Sequence, residues 1–446
     1  MDFLEREDSE VAAFFANKTV LITGGTGFIG KLLIEKLLRA CSSITRVYVI
    51  IREKRGVTVQ QRLHKLLNEK VFAGVLHRRS EARLKVSALC GDTEKPLLAL
   101  SNEDLDRIQS EVEVVIHSAA TVKFNEPLAA AVRANVEATA YVIELCHRLK
   151  WLQSFVHVST AYVNVNQPTG SSIEERIYPF DLKAKDVLEL VARLPTSALE
   201  AATPHLLGAY PNTYTFTKRL AEELVVESGL PAAIVRPSVV VATCKEPFPG
   251  WIDNINGPTG FFLALGTGSL TTIYGNWDIK VDLVPADFVV NCIIVTAFKM
   301  LLFHRLPMEL ADFLLCRVAG KQLPLRKLYT RMAAGLEVLN FFFHQDWDFK
   351  QANAIAMYNS LGDSDRYLFP MVASGDFKWA TFLKVYLFSI KYFILNEDLE
   401  TVPAARAWRK KLAVIHYGSR ALTALITAKA VASFIEFTTG IDVPIF

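Results

Sequence analysis

The chain has 446 residues, 51% of them hydrophobic, with a mean hydropathy of +0.24 and a formal net charge of +3. That length can bury a sizeable core and predicts two or three domains, while a near-neutral charge spread along the chain argues against a nucleic-acid partner. The apolar excess points to an apolar substrate or a lipid surface.

The opening stretch "MDFLEREDSE" is acidic and lacks an apolar segment, so it does not read as a secretory signal. From there to about residue 240, short β-branched runs alternate with helical patterns. "KTVLITG" is a buried strand, "KLLIEKLLRAC" a helix and "RVYVIIR" the second strand; "LKVSALCGD", "VEVVIHSAA", "FVHVSTAYV" and "AAIVRPSVVV" follow as further strands. This alternation predicts an α/β fold of the Rossmann type, a doubly wound parallel sheet. Helical patterns dominate from Phe288 onward, which predicts a smaller, mostly helical C-terminal domain, and Pro403 sets off a last basic segment.

Two apolar stretches are long enough to raise the question of a membrane span. Residues 254–277 carry no charge, but Gly, Pro and Asn interrupt them, so a loop followed by a short buried helix is expected. In the tail, His416, Arg420 and Lys429 interrupt the run, so it is expected to pack as a terminal helix or lie on a membrane surface rather than cross it. The six cysteines, Cys41, Cys90, Cys146, Cys244, Cys292 and Cys316, show neither CxxC nor zinc spacing and are expected to be buried thiols in a reducing compartment. No metal is expected.

"TGGTGFIG" joins the first strand to the first helix, the context in which a glycine-rich motif is informative. Gly24, Gly27 and Gly30 are spaced GxxGxxG, which lets the backbone approach a pyrophosphate facing the helix N-terminus. Thr26, Phe28 and Ile29 belong to the same predicted cofactor turn. At the end of the second strand Arg52 stands where NAD-binding folds usually offer a carboxylate, with Lys54 and Arg55 beyond it. A guanidinium suits a 2′-phosphate, so NADPH is the expected cofactor, with Glu53 keeping NADH in play.

Asp92 ends the third strand, either near an adenine or as a loop cap. In "HSAAT" the small residues around Ala119 leave room for a cofactor, and His117 is read as a packed side chain rather than a base. Ser159 and Thr160 close the fifth strand at the sheet edge where such folds bind ligands, and either hydroxyl can serve. Tyr214 and Lys218 sit four apart, one turn along a helix face. A phenol of pKa ~10 becomes an acid-base group when a cation lowers it, and Lys218 can supply that charge and touch a ribose.

A Ser/Thr, Tyr, Lys set on a GxxGxxG scaffold resembles the signature of extended short-chain dehydrogenases. Together with "VIHSAATVKFNEPL", "IVRPSVV", "GWIDNINGPTGFFLALGTG" and "KVDLVPADFVVN", and with "LEVLNFF", "LGDSDRYLFP" and "FLKVYLFSIKYFILNED" further on, nearly the whole chain from about residue 14 resembles the fatty acyl-CoA reductases of animals. The resemblance implies two-step, NADPH-dependent reduction of a long-chain acyl-CoA through an aldehyde to a fatty alcohol, with release of CoA. It implies a cytosol-facing enzyme on ER or peroxisomal membranes, and adds Pro237 to the cofactor contacts. It divides the chain into a cofactor domain at 14–290, a helical domain at 325–400 and a tail at 401–446. The chain departs from the family pattern between "LLCRVAGKQ" and "LPLRKLY", where several tens of residues are missing, and at "NVEAT", where Glu137 and Ala138 stand where the related pattern has a glycine. A dehydrogenase of sterols or other ready-made carbonyls, and a non-catalytic lipid binder, are the alternatives to the reductase.

Overall fold

The computed structural model describes residues 9–54, 56–267, 281–303, 347–371 and 377–396. Six parallel strands form its centre: β1 (Thr19–Thr23), β2 (Arg46–Ile51), β3 (Val86–Cys90), β4 (Val112–His117), β5 (Ser154–Val158) and, after a two-residue strand β6 (Ser172–Ile173), β7 (Ala232–Val235). Their order, β3-β2-β1-β4-β5-β7, reverses direction of growth at β1/β4, the doubly wound arrangement. Runs such as TVLIT and SFVHV are buried at every position, as strands covered on both faces must be.

One face is covered by helices that include Asn102–Glu111 and Ala138–Arg148, whose Ile108, Val142 and Leu145 pack with Leu21, Tyr48, Val115 and Phe155. The long helix Ala286–Phe303 packs against β5, β7 and the helix Phe28–Ala40. A second apolar cluster joins Phe216 and Leu220 of the helix Thr213–Glu227 to Val165, Ile173, Tyr178 and Trp347.

"AAIVRPSVVV" is not one strand. Pro237 has no amide to give a ladder, and the run divides into β7 and β8 (Val239–Val241), which pairs in parallel with β9 (Leu283–Pro285). Similarly β6 pairs with β10 (Asp348–Phe349), drawing the residues around 350 onto the loop that follows β5. Glu175 accepts the amides of Asn353 and Ala354 at the start of the helix Ala352–Asn359, and Lys36 donates to the carbonyl of Leu368.

The chain separates into two compact units, residues 1–390 and 391–446. Among the described residues no helix is long and apolar enough to cross a membrane; the tail segment lies outside them. The expected buried helix of the 254–277 stretch runs from Pro258 to Thr267 but is buried only on one flank, through Thr259, Leu263 and Ala264, with Leu265 left 37% exposed. Thr259 Oγ1 meets Tyr386 Oη at 2.6 Å on the covered side. Of the cysteines, Cys41, Cys146 and Cys292 are buried as expected, Cys244 is half-buried and Cys90 is exposed at the end of β3. Cys316 lies outside the described residues.

Candidate active site

The glycine turn after β1 is built for close approach. Gly24 has φ +73°, and a Cβ there would lie 2.7 Å from Ala119 N, against the chain leaving β4. A Cβ on Gly30 would meet the Gly24 carbonyl oxygen at 2.2 Å. Gly27 caps the helix Phe28–Ala40 and no side chain bonds its first amides, so the positive end of the helix faces the turn. The side chains of Phe28 and Ile29 are buried, Phe28 stacked on Trp251 at 5.3 Å. A pyrophosphate would therefore be met by backbone amides here, not by these side chains.

At the end of β2, the exposed guanidinium of Arg52 reaches Asp92 at 3.4 Å and Glu94 at 3.2 Å. Asp92 also accepts the Glu94 amide at 3.1 Å, closing a turn rather than capping a helix. A second guanidinium, which the sequence reading missed, stands here: Arg62 donates to the Arg52 carbonyl, and burial and then the Arg52 charge lower its pKa. Its only sequence signal is its place on the helix Val59–Leu67 next in the chain. Lys54 is exposed in a small turn, bridged to Val57, and Arg55 lies outside the described residues.

His117 is packed, as read. Its ring nitrogens meet Thr23 Oγ1 at 2.7 Å and Thr139 Oγ1 at 3.1 Å, and burial, then the Lys218 charge, push its pKa down to about 3. The neighbouring His157 is also buried and its pKa is driven down by burial, then Lys218. These rings wall the site beneath Lys218; neither is disposed to take a proton.

The helix Thr213–Glu227 begins at Asn212, whose side chain accepts the Thr215 amide at 2.9 Å. That cap fixes Tyr214 in the first turn and Lys218 in the second. Both are buried, 4% and 1% exposed. Lys218 Nζ donates to the Val158 carbonyl at 2.8 Å, so the ammonium meets the last residue of β5, next to Ser159. The Tyr214 ring lies against Phe124, 5.6 Å between centroids, and Thr213 Oγ1 donates to the Glu126 carbonyl at 2.9 Å. The loop after β4 is thereby held on the start of this helix.

The two candidate hydroxyls differ. Thr160 Oγ1 accepts the Tyr162 amide at 3.3 Å, capping the short turn Ala161–Asn164. Ser159 Oγ is fully buried with no hydrogen-bond partner among the described residues. Pro237 accepts the Ala161 amide at 2.9 Å, which ties the ends of β5 and β7.

Asn135 is a further residue the sequence singled out only for its neighbours. It sits in a π-helical turn, Arg133–Glu137, where one extra residue bulges the helix. Its side chain takes the Thr121 amide at 2.8 Å and gives to the Thr121 carbonyl at 3.1 Å and Thr217 Oγ1 at 3.0 Å. It pins the "HSAAT" loop to the Tyr214 helix, and Glu137 and Ala138 follow it without disturbing the contact.

Residues 22–293 match a family model described as male sterility protein, NAD-binding, and residues 303–397 match the Sterile model of male sterility protein. Fatty acyl-CoA reductase 1 of Xenopus laevis is 34% identical over 471 residues, covering 92% of this chain and 90% of the relative. The Homo sapiens protein of that name is also 34% identical, and fatty acyl-CoA reductase 2 of Bos taurus 32%. An alignment longer than this chain's 446 residues means that the relative carries residues absent here. Among solved structures, the terminal R domain of a myxalamid PKS-NRPS pathway superposes with a TM-score of 0.55 at 21% identity, over 84% of this chain and 91% of that one. The Aureusimine cluster reductase domain superposes with 0.52 at 18% identity, over 88% and 94%. These two share the fold.

Proposed function

The chain belongs to the fatty acyl-CoA reductase family, and on that premise we propose that it reduces a long-chain fatty acyl-CoA to the fatty alcohol, using NADPH and releasing CoA. The glycine cradle around Gly24 and Gly30, with the uncapped helix start at Gly27, fits a dinucleotide pyrophosphate. Thr26, Ala119, Lys218 and Pro237 would border the rest of the cofactor, and Arg52 with Arg62 would meet the 2′-phosphate that distinguishes NADPH. When bound, that cofactor supplies the hydride, one NADPH for each of the two reductions.

The protein's own part is proton delivery and oxyanion support. Tyr214 holds the proton at Oη and donates it to the carbonyl oxygen of the substrate. Lys218, anchored on the Val158 carbonyl, eases that loss by its charge. Ser159 Oγ, which meets no other hydrogen-bond partner among the described residues, gives the second hydrogen bond, while Thr160 is engaged as a cap. Reduction at a thioester carbon leaves a hemithioacetal, which expels the CoA thiol to give the aldehyde; the same groups then serve the aldehyde carbonyl.

The observation that carries this reading is the Lys218–Val158 bond at 2.8 Å beside Ser159, with Tyr214 one turn earlier on a capped helix. The expected domain division, 14–290, 325–400 and 401–446, and a position on ER or peroxisomal membranes belong to the same proposal. The test is the alcohol profile of cells expressing the chain, read by gas chromatography with CoA thiol release from acyl-CoA in vitro. Fatty alcohol and free thiol are expected; NADPH binding with neither product would overturn the assignment.

A further inference from the structure

Beyond the Ser159–Tyr214–Lys218 set, the sheet edge carries a carboxylate that the reaction above leaves unused. Ser159 N donates to the Val235 carbonyl at 2.7 Å and Ala161 N to that of Pro237 at 2.9 Å. The next chain over is β9: Val239 N donates to the Asp282 carbonyl at 3.2 Å, and Val239 is in register with Leu283. Ser159 to Ala161, then Pro237 and Ser238, then Asp282 thus run side by side across one edge. Tyr162, two residues past Thr160, is near enough for the Asp282 charge to act on it: burial first, and then that carboxylate, raise its phenol pKa.

Asp282 is half-buried. Burial pushes its carboxyl above the usual range; the Ser238 hydroxyl beside it offsets part of this, and Asp348 adds to it. Ser238 Oγ itself completes no hydrogen bond among the described residues, so its approach to Asp282 is loose. No lysine or arginine among the described residues forms a salt bridge with Asp282. A carboxylate has about four acceptor positions, and a half-buried one without a cation is costly unless donors reach it. Beyond the Ser238 hydroxyl, Asp282 keeps acceptor positions open at this edge of the sheet.

The substrate's chemistry narrows the choice. The acyl tail has no donor and would not lie on a carboxylate. The phosphates of CoA would be repelled by it. The pantetheine arm remains, with an amide N–H two carbons beyond the thioester sulfur, and the free aldehyde lacks that arm. Resting on the functional reading above, we propose that Asp282 is a specificity-determining residue for the thioester step, accepting a hydrogen bond from a pantetheine amide and taking no part in reduction of the free aldehyde.

The full chain is assayed as wild type, Asp282→Ala and the isosteric Asp282→Asn, each checked for an unchanged thermal melt. Probes are a long-chain acyl-CoA, followed by thiol release, the same acyl group as its N-acetylcysteamine thioester, which keeps the first amide, as an S-ethyl thioester, which has none, and the free aldehyde. Asp282→Ala is expected to raise KM for acyl-CoA about ten- to a hundredfold, the range for a hydrogen bond to a charged group. The aldehyde and S-ethyl kinetics should stay within about twofold, and Asp282→Asn should fall between. Equal losses on thioester and aldehyde would make Asp282 a prop for the loop and overturn the proposal, as would an unchanged KM for acyl-CoA. If both variants melt early, the wild type decides alone: no preference for N-acetylcysteamine over S-ethyl thioester overturns it. A wild type that reduces aldehyde but releases no thiol would instead sink the acyl-CoA reading, and this inference with it.

Discussion

Lys218 Nζ bonds the carbonyl of Val158 at 2.8 Å, locking the ammonium of one element to the last residue of another, directly before Ser159. A lysine held by a backbone oxygen cannot swing away, so its charge acts on a fixed spot one helical turn from Tyr214. Tyr214→Phe should therefore cut turnover on acyl-CoA about a hundredfold to ten-thousandfold, the usual range for losing a positioned acid, while NADPH affinity by fluorescence titration stays unchanged. Lys218→Ala should damage both turnover and cofactor affinity. Near-normal alcohol production by Tyr214→Phe would end the proposed mechanism.

Ser159 and Thr160 are adjacent but not equivalent. Thr160 Oγ1 is committed to the Tyr162 amide, and Ser159 Oγ is buried without a partner among the described residues. Ser159→Ala should lower kcat about tenfold to a thousandfold, by analogy with removal of one oxyanion donor, at unchanged stability. Thr160→Val removes a cap and should cost about 1 kcal/mol of stability, read as a lower melting temperature, with a smaller effect on kcat. The reverse ranking would exchange the two roles.

What could be read from the sequence was what is local. The Gly24–Gly30 turn and the Tyr214–Lys218 pair each lie within one strand-turn-helix or one helical turn, so spacing alone carries their geometry. Strands such as β1 and β5 were legible because their residues are buried on both faces and hence uninterrupted. Contacts between distant residues left no such trace. Arg52 and Asp92 are 40 residues apart, and Asn135 and Thr217 82. Asn135 draws its meaning from a π-helical turn that no spacing announces. The two-residue strands β6 and β10 are too short to show a period, and Pro237, taken as part of a strand, instead ends one.

Arg52 and Arg62 form a like-charged pair at the end of β2, Arg52 held by Asp92 and Glu94 and Arg62 by the Arg52 carbonyl. If they meet the 2′-phosphate, Arg52→Ala should weaken NADPH by roughly 1.5–3 kcal/mol, the scale of a charge-assisted hydrogen bond, and leave NADH nearly unchanged. Arg62→Ala should act in the same direction. Isothermal titration with both cofactors decides it: equal losses would mean that neither guanidinium reads the phosphate.

Glu175 gives the stability a pH dependence. Burial, opposed by the Asn353 and Ala354 amides and by Arg236, lifts its carboxyl from 4.5 to about 7. Between those values the folded state holds a proton that the unfolded chain releases, so this group's contribution is complete below about pH 4.5 and is lost as pH rises through 7. Glu175→Gln cannot titrate. Its melting temperature relative to wild type should therefore improve from pH 5 to pH 8; a constant difference would mean that Glu175 does not titrate there.

Glu222 and Arg236 supply the most buried ion pair described, at 0% and 1% side-chain exposure. Nε meets Oε1 at 2.7 Å, Nη2 meets Oε2 at 2.9 Å, and Nη1 gives to the Arg176 carbonyl at 3.1 Å. Glu222 lies one turn past Lys218, and Arg236 directly precedes Pro237, so the fork clamps the Tyr214 helix to the end of β7. Removing one partner leaves the other charge buried and alone, and Glu222→Ala should cost about 3–5 kcal/mol, read as a fall in urea midpoint at constant m. Replacing both, as Glu222→Leu with Arg236→Met, removes the stranded charge and should recover much of that loss. If the pair serves only stability, the double variant regains kcat as well. If the fork also holds the helix in register for proton transfer, the double variant melts near wild type yet keeps a reduced kcat, and that second outcome is the one expected, because an apolar contact cannot reproduce a two-point bond. A single variant within about 1 kcal/mol of wild type would show that the clamp carries neither load.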